Sequence, residues 1–208
     1  MILFETFPVG AFQCNCSILG CPDTKEAIVV DPGGDPEHIL EVVRHHDLNV
    51  RYTVHTHAHL DHIYATRDVK EATETEILLH KDDLFLYDGF AVQAAMFGWE
   101  ARPVLPIDRF LNHGDTLEFG KQKLDVLHTP GHTPGSCCFK VDDLLLSGDT
   151  LFRRSIGRTD LPGGDSRQIA QSIRERLYTL EEDTRVIPGH GPATTVGEER
   201  KKNPFVQA

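Results

Sequence analysis

The segment HTHAHLDH, residues 55–62, places four histidines and an aspartate within eight positions. Imidazole and carboxylate are the side chains that hold divalent metals through nitrogen and oxygen, so this density points first to a metal site. His57 and His59 are two residues apart, a spacing at which both can face one point on an extended or looping backbone. Asp61 and His62 follow at the turn into a helix, so two neighbouring metals could be served. Three more candidates occupy similar contexts: His132 in HTPGHTPGS, Asp149 in LLLSGDTLF and His190 in VIPGHGP. Each follows a strand-like run, and the surrounding glycines and prolines permit tight turns toward a shared site. Any one of these residues alone reads as a turn or surface residue; the joint pattern points to metal.

The elements needed to position them alternate along the chain. AIVVD (27–31) and LNVRYTVHT (48–56) are apolar runs that stop at loops. Between them, PEHILEVVRHH sets Ile39, Val42 and Val43 at helical spacing behind Pro36, giving a β-α-β order. Residues 62–73 read as a second helix, TEILLH as a strand, and 81–98 as a third helix with Leu84, Leu86, Val92 and Met96 apolar. From Leu117, LEFGKQKLDVLH, SCCFKV and DLLLSGD predict a mainly antiparallel half. Residues 165–180 predict a helix with Ile169, Ile173 and Leu177 on one stripe, TRVIPGH a strand, and VGEERKK a short final helix. Two β-rich halves with their own helices imply a layered α/β sandwich whose polar residues sit at strand ends.

Composition narrows the function classes. The chain has 208 residues, 25% charged and 39% hydrophobic, and is expected to form one large domain. No apolar run is long enough to span a membrane, and MILFETFPVGAF lacks the basic flank and cleavage site of a signal peptide, so a cytoplasmic location is expected. A formal net charge of −11 argues against nucleic acid as a partner, because that affinity rests on Lys and Arg. The five cysteines Cys14, Cys16, Cys21, Cys137 and Cys138 form no C-x-x-C pair and read as reduced, partly buried thiols. His38, His45, His46 and His113 read as surface residues, whereas His55, His80 and His128 could lie near the ligands and orient them.

The motifs THAHLDH (56–62), PGHTPG (130–135), SGD (147–149) and GH (189–190) resemble, in order, the signature of the metallo-β-lactamase superfamily. That resemblance implies a four-layer αββα sandwich with a two-metal site at the edge of its two mixed sheets. It implies that His57, His59 and His132 hold one divalent ion, that Asp61, His62 and His190 hold the other, and that Asp149 bridges them. Zinc is expected first, with iron or manganese as alternatives. Asp31 in VVDPGG matches a supporting aspartate of the family, and Tyr64 and Ala65 stand where the family usually has glycine.

GDTLFRRSIGRTDLPGGD and GHGPATTVGEERKKNPF are similar to stand-alone, glyoxalase-II-like hydrolases. The resemblance implies hydrolysis of glutathione thioesters such as S-D-lactoylglutathione by a metal-bridging hydroxide, with Asp61 orienting it and accepting a proton. Arg158 would grip a glutathione carboxylate, with Arg154 and Arg153 nearby; a solvated or ion-paired role is the alternative for Arg153 and Arg154. Larger glyoxalase II enzymes add a C-terminal helical glutathione-binding domain, and no such domain is expected here. The rival enzyme reading is a mononuclear iron persulfide dioxygenase acting on glutathione persulfide, whose GRTD segment is similar to residues 157–160. A nuclease is disfavoured by the charge, and a non-catalytic relative would show gaps among the ligands, of which this sequence has none.

Overall fold

The computed structural model describes residues 2–207. The chain forms two compact units, residues 1–111 with 118–122 and residues 112–117 with 123–208. In the first, β1 (Leu3–Val9), β2 (Cys14–Gly20), β3 (Glu26–Val30), β4 (Asn49–Val54), β5 (Glu76–His80) and β6 (Arg109–Leu111) form one sheet in sequence order. β1, β2 and β3 pair antiparallel, and β3 through β6 pair parallel. The parallel part requires crossovers. The first is α1 (Pro36–His45), with Pro36 in its opening turn, Glu37 near its start and Arg44 and His45 near its end, as the helix dipole favours. Its buried Ile39 and Val43 pack on Cys14, Cys16, Ile18 and Val29 of the sheet.

Two helices expected as single pieces are broken. The stretch 62–73 divides into α2 (Leu60–Ile63) and α3 (Thr66–Thr73). The stretch 81–98 divides into a 3₁₀ turn (Lys81–Asp83), α4 (Leu84–Asp88) and α5 (Phe90–Met96), with Gly89 between the two helices. The break rotates the apolar side. Leu86, Tyr87, Phe90 and Ala94 are buried, whereas the apolar Val92 is 68% and Met96 77% exposed. The hairpin β1–β2 escapes sequence reading because Cys14, Asn15, Cys16 and Ser17 blur its alternation.

In the second sheet the strand order is β14-β13-β10-β9-β8-β7, from β7 (Thr116–Phe119), β8 (Gln122–His128), β9 (Cys137–Val141), β10 (Leu144–Gly148), β13 (Arg185–Pro188) and β14 (Thr194–Thr195). A separate hairpin joins β11 (Leu151–Phe152) to β12 (Ser155–Ile156). The pairing is antiparallel as expected from β8 to β10, but β10 and β13 run parallel, joined by the crossover through α6 (Ser166–Ser172). Asp165 caps α6 by accepting from the Arg167 and Gln168 amides, and the helix continues as a π-helical turn over Ile173–Leu177. Ile169, Ile173 and Leu177 are buried as the stripe predicts, against Cys138, Leu145 and Val186. The last helix, α7 (Val196–Lys202), is capped by Thr195. All five cysteines are buried, deeper than expected.

Buried and exposed apolar positions give different expectations for stability. Leu145→Ala removes a fully buried side chain and should cost about 3 kcal/mol, whereas Met96→Ala should fall within about 0.5 kcal/mol of the parent protein, both read from urea denaturation.

Candidate metal centre

In each unit several candidate ligands leave the sheet at the carboxyl ends of neighbouring parallel strands. In the first unit, Val30 of β3 is the register partner of Val54 of β4, so Asp31 and the 55–62 loop leave the sheet side by side. Asp31 takes a left-handed conformation (φ 50°), which aspartate tolerates better than most residues, and its amide donates to the Val54 carbonyl at 3.1 Å. Its carboxylate then organises the loop. Oδ1 accepts from the Thr56 amide at 2.8 Å, and Oδ2 accepts from the Thr56 hydroxyl at 2.6 Å and contacts His62 Nδ1 at 2.9 Å.

These bonds determine which imidazole nitrogens can bind metal. A carboxylate only accepts, so the His62 proton sits on Nδ1 and its lone pair is on Nε2. The Thr56 hydroxyl spends its proton on Asp31 and therefore accepts from His57 Nδ1, 3.1 Å away, which directs the His57 lone pair to Nε2 as well. One buried aspartate thus sets the tautomer of two histidines. Donor atoms of Cys14, Asp31 and His62 also converge; Asp31 is committed to three hydrogen bonds, and burial pushes the Cys14 thiol up to about 12.

His57 and His62 are buried and their ring centroids lie 4.0 Å apart; the His59 ring stands perpendicular to His57 at 4.8 Å. Asp61 Oδ2 lies 3.7 Å from His62 Nε2. The loop between them is held from behind by two residues that sequence reading missed. Buried Asp83 accepts from the Ala58 amide at 3.0 Å, and Gln93 accepts from the Leu60 amide at 2.9 Å while donating to the Ala58 carbonyl at 3.1 Å. Nothing in KDD or FAVQAAM distinguishes these side chains from solvated ones. His55 is not among the converging rings: its Nε2 bonds Thr66 Oγ1, and burial pushes its pKa down to about 4.

In the second unit, Gly148 of β10 pairs with Pro188 of β13, and the Gly189 amide donates to the Gly148 carbonyl at 2.8 Å. Asp149 and His190 therefore emerge from adjacent strand ends. Each Asp149 oxygen faces a different imidazole: Oδ2 lies 3.7 Å from His132 Nε2 and Oδ1 lies 3.8 Å from His190 Nε2. His132 donates from Nδ1 to the Arg158 carbonyl at 2.8 Å, which again leaves Nε2 as the donor to a metal. In each unit a glycine lets the backbone press on a ligand residue. A Cβ on Gly33 would stand 1.7 Å from the Asp61 carbonyl oxygen, and one on Gly157 1.8 Å from that of Asp149.

The donor set fits divalent metal. Separations of 3.7–3.8 Å between nitrogen and carboxylate oxygen exceed hydrogen-bond length, and two ligands on a tetrahedral ion stand about 3.4 Å apart. The second nitrogen of each of His57, His62 and His132 is held by an outer partner, the usual arrangement behind metal-binding histidines.

Residues 9–190 match the model of the metallo-beta-lactamase superfamily. The chain belongs to that superfamily. Its two six-stranded mixed sheets with helices are the metallo-β-lactamase fold, and membership implies divalent-metal binding. It is 38% identical to hydroxyacylglutathione hydrolase GloC of Haemophilus influenzae, over 98% of each chain. Among solved structures it resembles the B3 metallo-beta-lactamase BLEG-1, with 36% identity, a TM-score of 0.91 and coverage of 99% of this chain and 100% of that one. It also resembles TTHA1623 in a di-iron-bound form, with 38% identity, a TM-score of 0.88 and coverage of 97% and 100%.

The two arginines expected to touch substrate are exposed and already paired. Arg158 makes a two-pronged contact with Asp160 at 2.8 and 2.7 Å, and Arg154, in the β11–β12 turn, reaches Glu198 at 3.0 Å. Substituting Asp31 should act through the histidines it orients. Asp31→Asn is expected to weaken zinc affinity about 10- to 100-fold, measured by competition with a chromophoric chelator.

Proposed function

We propose that the protein hydrolyses glutathione thioesters such as S-D-lactoylglutathione with two divalent cations. His57, His59 and His132 would hold one ion, Asp61, His62 and His190 the other, and Asp149 would be shared. The observation that carries this reading is Asp149, whose two oxygens face two different imidazoles. A complete His and Asp donor set and the relative named hydroxyacylglutathione hydrolase support it. Zinc suits these donors, and the di-iron form of TTHA1623 makes iron a second fit.

Bound divalent cations supply Lewis acidity toward the thioester carbonyl and make hydroxide available near neutral pH. The chain's own side chains do the rest. Asp61, on the first turn of α2 and partly open to solvent, orients the attacking water and takes its proton. Arg158 offers a planar fork to a glutathione carboxylate, which would replace Asp160 in the same two-pronged geometry. Because Arg158 holds the Asp160 carboxyl at about 2, Asp160 stays ionised and competes at every working pH. The backbone carbonyl of Arg158 carries the His132 contact, so its side chain can change without disturbing that histidine.

The test is anaerobic hydrolysis of S-D-lactoylglutathione, followed by loss of thioester absorbance, on protein whose metals have been counted. Turnover is expected, with loss on chelation and recovery on adding metal. Asp61→Asn should lower kcat by at least about 100-fold with the fold retained. Arg158→Ala should chiefly raise KM. No thioester turnover, with oxygen-dependent consumption of glutathione persulfide by a protein holding one iron, would replace this reading; turnover confined to β-lactams would also replace it.

A further inference from the structure

Tyr64, three residues after Asp61, opens onto a cleft that the metal chemistry does not use. Residues 99–107 have no regular secondary structure, yet they are fixed. Tyr64 and Tyr87 donate their hydroxyls to the Glu100 and Leu105 carbonyls at 3.0 Å each, and Arg67 donates to Pro103 at 2.7 Å. The segment so held presents Trp99. Its ring meets Tyr64 edge-on at 5.2 Å and Phe12, in the β1–β2 turn, at 5.3 Å; Phe97 adjoins both Phe12 and Trp99. Phe12 and Phe97 are 41% and 53% exposed, an unusual grouping for aromatic rings in water.

Beneath this wall lies a cleft of about 410 Å³, floored by Gly10, Ala11, Gly33 and Gly34 and flanked by Tyr64 and Trp99. Its volume lies in the range of small-molecule sites. It adjoins the metal-binding motif directly, since Gly33 packs against the Asp61 carbonyl. Its charged lining residues, Asp35 and Glu100, are both acidic, with no Lys or Arg among the described lining side chains. Such a wall repels the carboxylates of glutathione and accepts an uncharged ring, for which stacked and edge-on aromatic contacts are available.

We propose that this cleft receives the acyl group of the thioester and selects an uncharged, aromatic-sized acyl chain, such as phenylacetyl, over lactoyl. The proposal rests on the thioester reading and names its substrate class. Trp99 is the protein's only tryptophan, so its fluorescence reports occupancy independently of turnover.

The experiment compares S-phenylacetylglutathione with S-D-lactoylglutathione on the metal-loaded enzyme, by kcat/KM and by titration of Trp99 emission. The phenylacetyl ester should be preferred by about tenfold or more, with a saturable emission change that the lactoyl ester lacks. Trp99→Leu, which removes the ring flanking the cleft, should reduce the preference roughly three- to tenfold. Equal or better use of the lactoyl ester, with Trp99 emission unmoved by either, would overturn the subsite while leaving thioester hydrolysis intact. Failure to hydrolyse either ester defeats the functional reading; the cleft assignment then survives only if Trp99 emission still saturates with the phenylacetyl ester alone.

Discussion

The carboxylate of Asp31 is the constraint on which the first half of the candidate centre depends. It is buried, it stands where two parallel strands end, and it accepts from three groups of a loop 25 to 31 residues further along the chain. Without those bonds the Thr56 amide, the Thr56 hydroxyl and His62 Nδ1 would be buried polar groups lacking partners, each costing on the order of 1–3 kcal/mol. With them, two imidazoles are locked into one tautomer and one direction. The left-handed backbone at Asp31 turns the chain sharply enough to leave the carboxylate under the loop it supports.

The second unit reaches a comparable result by other means. There the strand ends themselves do the positioning: the parallel pair of β10 and β13 places Asp149 beside His190, and the backbone bond from Gly189 to Gly148 holds them in step. His132 is oriented by a main-chain carbonyl instead of a carboxylate. In both units a glycine allows a neighbouring backbone to press on the ligand loop, at Gly33 and at Gly157. Parallel strands suit this task because adjacent carboxyl ends bring together residues far apart in sequence.

Charge is unevenly placed among the described residues. The chain is acidic overall, and the cleft beside Asp61 is lined by carboxylates and aromatic rings. In the proposed reading, Arg158 would offer positive charge to an anionic thiol carrier, a substrate carboxylate taking the place of the exposed Asp160 it now pairs with. Tyr64, a departure from the glycine usual in the family, is part of this arrangement: its hydroxyl ties down the segment bearing Trp99, and its ring forms the cleft wall.

The donor types, their order and their places after strand-like runs were legible in the sequence, because ligand chemistry demands His and Asp and tight turns demand Gly and Pro. So were the strands β3, β4, β5, β9, β10 and β13 and the helices over Pro36–His45 and after Asp165, whose periodicity is a local property. The breaks at Tyr64 and Gly89 were not, since the apolar pattern runs through both and only packing decides which face turns inward. Nor could the sequence single out Asp83 and Gln93, whose roles come from backbone groups 25 and 33 residues away. Residue type determined what chemistry was available. Tertiary structure decided which nitrogen of each histidine would offer its lone pair, because that choice is made by a hydrogen bond to a partner distant in the chain.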